Sequence, residues 1–344
     1  MANAPANPTP HDCNTVAEHY REGLLGWPTD PLTRLDDLSS GLISRFLVAK
    51  PVRRQAINLV LADLAASGEC GLTADLAELL KFAGAGEIVL SHFGALPDGL
   101  LGALERIGPN PLKPASYGVL RRIYSERRFR RHARALRHLE QITDGALEAL
   151  LALDPRWVHL KVLQTVRDGA QAAQLNHALA FVQDVNSAAT DAAVMLAVRK
   201  LSPDYRLEAL VCAFLHTADR APPGPLAADP EVQPLSVADL PTMARRYRNC
   251  LDNDPQIGDL IRGRRAFAEF SGSAILEFRP LEGGGWLLAG VHGRHNGRVP
   301  PDLTAAAKAK CRAFGIHTFD QKPDDRWSAV TRLMRRGFRM EMGD

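Results

Sequence analysis

The sequence predicts an α+β chain: a large N-terminal all-α domain followed by a small C-terminal α+β domain with a short antiparallel sheet. Three observations predict it. Hydrophobic residues make up 46% of the 344 residues but aromatics only 6%, so Leu, Ala and Val must fill the core, a balance that favours helices over sheets. From Pro31 to about Arg220 apolar residues recur at helical spacing between short Gly/Pro breaks. Beyond the cluster Ala221-Pro222-Pro223-Gly224-Pro225 the period shortens to two and glycine turns appear.

Each element follows from local chemistry. Pro51 suits a helix start, and Ile57, Val60, Leu61 and Leu64 then fall on one face. Thr73 is a cap for a helix carrying Leu76, Leu79 and Leu80, and Asp204 for one carrying Leu207, Leu210, Val211, Phe214 and Leu215. Breaks at Gly84-Ala85-Gly86, Gly108-Pro109-Asn110-Pro111, Asp154-Pro155 and Ser202-Pro203 separate the runs. No repeat of 30–50 residues emerges, so an irregular bundle or array of helices is expected. The divisions are a tail over 1–30, a helical domain over 31–220, a Pro-rich linker over 221–235 and the α+β domain over 236–344.

In the last of these, Ser236 and Asp239 form a capping-box pattern that opens a helix to about Leu251. Ala266 to Phe270, Ala274 to Phe278 and Trp286 to His292 read as strands, the last two joined by a turn at Gly283-Gly284-Gly285. Leu303 to Phe314 reads as a helix stopped by Gly315, and a final helix runs from Asp324 or Asp325 through Arg336.

The formal net charge of +3 is too small to name a partner, so local clustering must do so. Five cysteines (Cys13, Cys70, Cys212, Cys250 and Cys311) lie far apart without a CxxC pair, which excludes a disulfide framework or zinc knuckle and fits a reducing, cytoplasmic setting. The N-terminus lacks the basic start and apolar run of a signal peptide, and no apolar stretch approaches the roughly 20 residues that span a bilayer. No membrane association, cofactor or metal is expected.

Two regions carry candidate chemistry. Residues 121–138, RRIYSERRFRRHARALRH, hold eight arginines and one glutamate. As one amphipathic helix from Ser125 on, Phe129, Ala133, Leu136 and Glu140 share a face, and Arg127, Arg128, Arg130, Arg131, Arg134 and Arg137 occupy the rest. Such a face neutralises phosphates, or is solvated and paired within the fold. Further arginines at 245, 246, 248, 332, 335, 336 and 339 make the last hundred residues basic.

The second region runs from Asn249-Cys250-Leu251 to Arg298. Leu240, Met243, Ala244, Tyr247, Cys250 and Leu251 fall on one helical stripe, so Cys250 is expected to pack near a helix C-terminus, where the dipole disfavours a thiolate. With the hairpin turn at Gly283-Gly284, Phe278 faces Ala289, Leu276 faces Val291, and Glu277 lies opposite Gly290 with His292 one diagonal step away. Glu277 with His292 is an acid–base pair, or else a surface pair on a solvated face, with Arg279 as a second partner. The loop His292-Gly293-Arg294-His295-Asn296-Gly297-Arg298 offers Arg294 and Arg298 to an anion and His295 and Asn296 to read or activate it, though Asn296-Gly297 also makes a plain turn. Two histidines three apart with no third ligand make a poor metal site.

The order Asn249-Cys250-Leu251, a short strand carrying Glu277, then Gly293-x-x-Asn296 resembles the C-terminal part of PcfJ-like proteins over about 60 residues. Asp252-Asn253-Asp254 replaces the tyrosine usual after the cysteine, and Gly290 replaces a glutamine. The resemblance implies a setting on bacterial mobile elements without naming a reaction. The leading expectation is a nucleic-acid-associated accessory protein of a mobile element or defence system, contacting DNA or RNA phosphates through Arg128, Arg131, Arg246, Arg294, Asn296 and Arg298. One alternative is a hydrolase or nuclease-like enzyme using Glu277 with His292 or His295, and the other is a helical scaffold for a protein partner. The sequence leans towards binding over catalysis.

Overall fold

The computed structural model describes residues 26–68, 71–201, 206–227 and 229–319. Most of the expected tail, the Asp204 cap and the final helix with Arg332, Arg335, Arg336 and Arg339 lie outside them. The chain divides into two compact units, Met1–Ala180 with Asp191–Leu207, and Phe181–Thr190 with Glu208–Asp344. Helices dominate the first, and a five-stranded mixed sheet with a few helices builds the second, as an α+β chain should. No helix of the described residues is long and apolar enough to cross a membrane.

The helical unit begins with α1 (Thr29–Leu38), α2 (Leu42–Val48), α3 (Pro51–Ser67), α4 (Ala74–Phe82), α5 (Ala85–Phe93), α6 (Leu100–Ile107) and α7 (Pro114–Ser125). Pro51 sits in the first turn of α3, and the Thr73 hydroxyl accepts from the Leu76 N–H at 3.2 Å. From Gln55 to Ala62 α3 is buried all round, because α5, α6 and α7 pack against it on several sides. Its buried Gln55 is fully engaged: it donates to the carbonyls of Gly108 and Asn110 and accepts from Asn58 and the Tyr117 hydroxyl.

The basic segment departs from the expected single helix. Glu126 is extended, a 3-10 turn spans Arg127–Phe129, and α8 (Arg130–Leu136) starts afresh. The break rotates the buried face onto His132, Ala135 and Leu136 rather than Phe129 and Ala133. Then come α9 (Asp144–Ala152), α10 (Leu160–Leu163), α11 (Gly169–Val185) and α12 (Asp191–Lys200), with the end of α11 from Phe181 on and α13 (Leu207–Leu215) from Glu208 on belonging to the second unit.

In the second unit the strands follow one another in space as in sequence: β1 (Val232–Pro234), β2 (Ala266–Phe270), β3 (Ala274–Pro280), β4 (Trp286–His292) and β5 (His317–Thr318). All neighbours are antiparallel except β4 and β5. The end of the stretch expected as a linker is therefore part of the sheet. Val232–Pro234 pairs with β2, and Leu226, Val232 and Leu235 are buried.

The Ser236–Asp239 capping box is present and leads through a 3-10 turn into α14 (Leu240–Tyr247), followed by α15 (Asp254–Ile261). Beyond β4, α16 (Pro301–Ala313) ends at Gly315, whose φ is +73°. Alternation then sorts the sheet residues into two cores. Phe267 and Ile275 pack with Leu240, Met243, Tyr247, Leu251, Ile257 and Leu260 of the α14–α15 region. Ala268, Phe270, Leu276, Phe278 and Leu288 pack with Ala307 and Cys311 of α16. Both faces being covered, every residue of β2 is buried.

Candidate functional site

The face under α14 and α15 is polar at two positions. Phe267 pairs with Glu277 and Glu269 with Ile275, so two glutamates sit diagonally on a face otherwise closed by apolar side chains. The Glu277 side chain is only 13% exposed, although its partners His292 and Arg279 reach solvent at 36% and 53%. Burial would favour a neutral carboxyl, but three donors surround this one. His292 Nε2 lies 3.3 Å from Oε2, while Arg265 Nη1 and Arg279 Nη2 lie 3.3 and 3.2 Å from Oε1. The hydrogen bond from His292 first, then the Arg265 and Arg279 charges, outweigh burial and hold the Glu277 carboxyl below the ordinary glutamate range. Glu277 is thus an anion and a poor proton carrier, suited to orienting the imidazole.

Strand register places the histidine. Glu277 stands opposite Gly290 and Ile275 opposite His292, as the hairpin parity requires. Beyond Glu277 the ladder shifts by one, so Phe278 faces Leu288 rather than Ala289, and Ala289 is the extra, exposed residue of a bulge. Gly290 gives the imidazole room. A Cβ there would come within 2.3 Å of His292 Nε2, so only a glycine lets the ring fold back over this position towards Glu277.

Cys250 is not where the helical stripe put it. The helix stops at Tyr247, because Arg248 adopts the left-handed conformation at φ +50° and turns the chain. Asn249, Cys250 and Leu251 leave the helix axis. Leu251 is buried as expected, but Cys250 is exposed. The Asn249 side-chain oxygen accepts from the Leu251 N–H at 3.3 Å and steadies the turn.

These segments enclose a cleft of about 370 Å³ lined by Asn249, Cys250, Leu251, Gln256, Phe267, Ile275, Glu277, His292 and Asn296. That volume falls in the range of about 300–1,000 Å³ usual for small-molecule sites. The floor is apolar and the rim carries a thiol, an imidazole, a carboxylate and three amides. Among the described residues no group of three or more His, Cys, Asp or Glu side chains is placed to hold a metal ion.

The remaining candidates divide. Asn296 lines the cleft, in a 3-10 turn over Arg294–Asn296 where His295 and Asn296 both have positive φ. His295, Arg294 and Arg298 are exposed outside the lining, so His295 is no partner of Glu277. Arg246 is committed within the chain: its guanidinium lies 2.8 Å from Glu269 and donates to the Gly272 carbonyl at 3.0 Å. In the helical unit, Arg128 pairs with Glu126 at 2.6 Å and Arg131 reaches the Pro155 carbonyl at 3.4 Å. Arg127, Arg130 and Arg134 are exposed and, among the described residues, unpaired.

Sequence reasoning missed Arg265 and Glu269. Arg265 also binds Asp259 at 3.0 Å and the Gln256 side chain at 3.0 Å, joining α15 to Glu277. Nothing in the Arg264-Arg265 dipeptide marks the second as special. Glu269 had a signal: it precedes Phe270 as Glu277 precedes Phe278, at the same strand parity and between apolar neighbours. It accepts from the Tyr247 hydroxyl at 2.6 Å. Burial first, then the Glu269 carboxylate, push the Tyr247 pKa far above its ordinary value, so the phenol stays a donor.

Compared with models of protein families, with curated proteins and with solved structures, the chain gives no match.

Proposed function

We propose that the second unit is an acid–base enzyme of the hydrolase class, with His292 as general base and Glu277 as the group that orients it. The observation that carries this reading is the part-buried Glu277–His292 contact on the wall of a cleft that also holds a thiol and three amides. With Glu277 ionised, the stable tautomer carries its proton on Nε2, which leaves Nδ1 as the acceptor for a proton from a nucleophile. This reading replaces His295 with His292 alone and makes Glu277 a positioning residue. The meeting of Asn249-Cys250-Leu251, Glu277 and Asn296 around one cleft supports a ligand site in common with PcfJ-like proteins, and with it a cytoplasmic role on a mobile element or in defence.

The test is hydrolysis of p-nitrophenyl acetate and of bis(p-nitrophenyl) phosphate by the full chain. One of them is expected to release p-nitrophenol, with the rate falling by about 10²-fold or more in His292→Asn. No release by the parent chain, or an unchanged rate in the variant, overturns the reading.

A second reading has its own observation. Arg127, Arg130 and Arg134, at i, i+3 and i+7, present guanidiniums that are unpaired among the described residues and suit a nucleic-acid backbone. It is the accessory-protein function, and it does not need the cleft.

A further inference from the structure

We infer that Cys250 is the nucleophile of this cleft and that its substrate is a carboxylic acyl derivative, an ester, thioester or amide. The inference rests on His292 being the general base. Three features carry it. Arg248 takes Cys250 off the helix, so the residue is exposed rather than packed. Cys250 and His292 line the same cleft and Glu277 holds the imidazole, so the cleft contains the three groups that a nucleophile–base–orienter set for covalent acyl transfer needs. The cleft also supplies the two accessories such chemistry needs. Leu251, Phe267 and Ile275 offer an apolar floor for an acyl chain. Asn249, whose oxygen is held by the Leu251 N–H, keeps its amide hydrogens for a developing oxyanion, and Asn296 offers a second amide.

The reaction balances with water as the only co-reactant. His292 takes the Cys250 proton as sulfur attacks the carbonyl carbon. The tetrahedral adduct collapses with cleavage of the bond to the leaving group, which receives that proton from His292 and departs as alcohol, thiol or amine. Water then attacks the thioester while His292 takes its proton. The carbon–sulfur bond breaks, Cys250 recovers the proton, and a carboxylic acid leaves.

The other described cysteines serve as controls. Cys311 is fully buried and burial pushes its thiol up to about 11, while burial first and then Asp254 raise the Cys212 thiol. The full chain is treated with iodoacetamide at pH 6.5 and alkylation of each cysteine is followed by peptide mass spectrometry. Cys250 is expected to react roughly tenfold or more faster than glutathione, and to fall to the glutathione rate in His292→Asn. In Gly290→Ala, which displaces the ring without removing it, an intermediate rate is expected. With p-nitrophenyl acetate, an acetyl group is expected on Cys250 and lost on standing. A Cys250 that alkylates no faster than glutathione, or equally fast in parent and His292→Asn, overturns the inference. If Cys250→Ser keeps the hydrolysis that His292→Asn abolishes, the nucleophile is wrong and the general base stands. If Cys250 reactivity depends on His292 but no ester is cleaved, the thiol–imidazole pair stands and the hydrolase reading fails.

Discussion

A single methyl group decides the geometry of the cleft. Glu277 can orient His292 only while the imidazole lies across position 290, and that position has no side chain to spare room for. Gly290→Ala places a carbon where the ring now sits. The ring is the free end of a half-exposed side chain, so it can swing away rather than distort the strand. The expected stability cost is therefore small, about 1 kcal/mol or less, as for surface substitutions away from the core. The cost falls on function: hydrolysis should drop by about 10-fold to 10²-fold with circular dichroism unchanged, since a misoriented base loses most of its advantage. Equal activity in Gly290→Ala and the parent would show that the Glu277–His292 contact does not matter to catalysis.

At the scale of the elements, one helix positions the cysteine turn, and a buried hydrogen bond adds to the apolar packing that holds that helix. The Tyr247 hydroxyl and the Arg246 guanidinium converge on Glu269, which fastens the end of α14 to the middle of β2. Arg246 is about half exposed, so solvent screens its share, whereas the phenol–carboxylate bond is buried. Tyr247→Phe keeps the packing and deletes that bond, for an expected loss of about 1.5–3 kcal/mol, the usual contribution of a hydrogen bond to a charged group. Hydrogen exchange in mild urea checks it: the amides of α14 and β2 should lose protection together, and unchanged protection would show that the contact does not hold α14. Much of this level was legible. Period-two runs located β2, β3 and β4, and side-chain parity placed Glu277 beside His292 on one face. The bulge at Ala289 was not, because every residue from Trp286 to His292 fits either register. Nor was the end of α14, since Leu251 continues the apolar spacing and an arginine in the left-handed conformation leaves no mark in sequence. The edge strands β1 and β5 span only three and two residues, too short for any period.

At the scale of the whole molecule, the cleft and the arginine cluster at 127, 130 and 134 are on different units. The cleft belongs to the sheet-bearing unit, and the arginines at 127, 130 and 134, unpaired among the described residues, belong to the helical one. The sequence showed the arginine excess but not which arginines are available, because Arg128 is engaged by Glu126 and Arg246 by Glu269 through contacts set by the fold. This separation makes the two functional readings independently testable on the same protein. If the basic face binds duplex DNA, the logarithm of affinity should fall linearly with the logarithm of salt, with a slope near 0.9 per phosphate neutralised, roughly. Replacing Arg127, Arg130 and Arg134 together by alanine should then lower that slope by up to about 2–3, weakening all sequences alike, because guanidinium–phosphate contacts carry no base information. The measurement is fluorescence anisotropy of a labelled duplex titrated with the full chain at several salt concentrations. The same triple variant should hydrolyse p-nitrophenyl acetate at the parent rate, and His292→Asn should bind the duplex with the parent slope. A slope that survives loss of all three arginines would remove this face from nucleic-acid binding, and a triple variant that also loses hydrolysis would mean that charge on one unit and chemistry on the other are coupled.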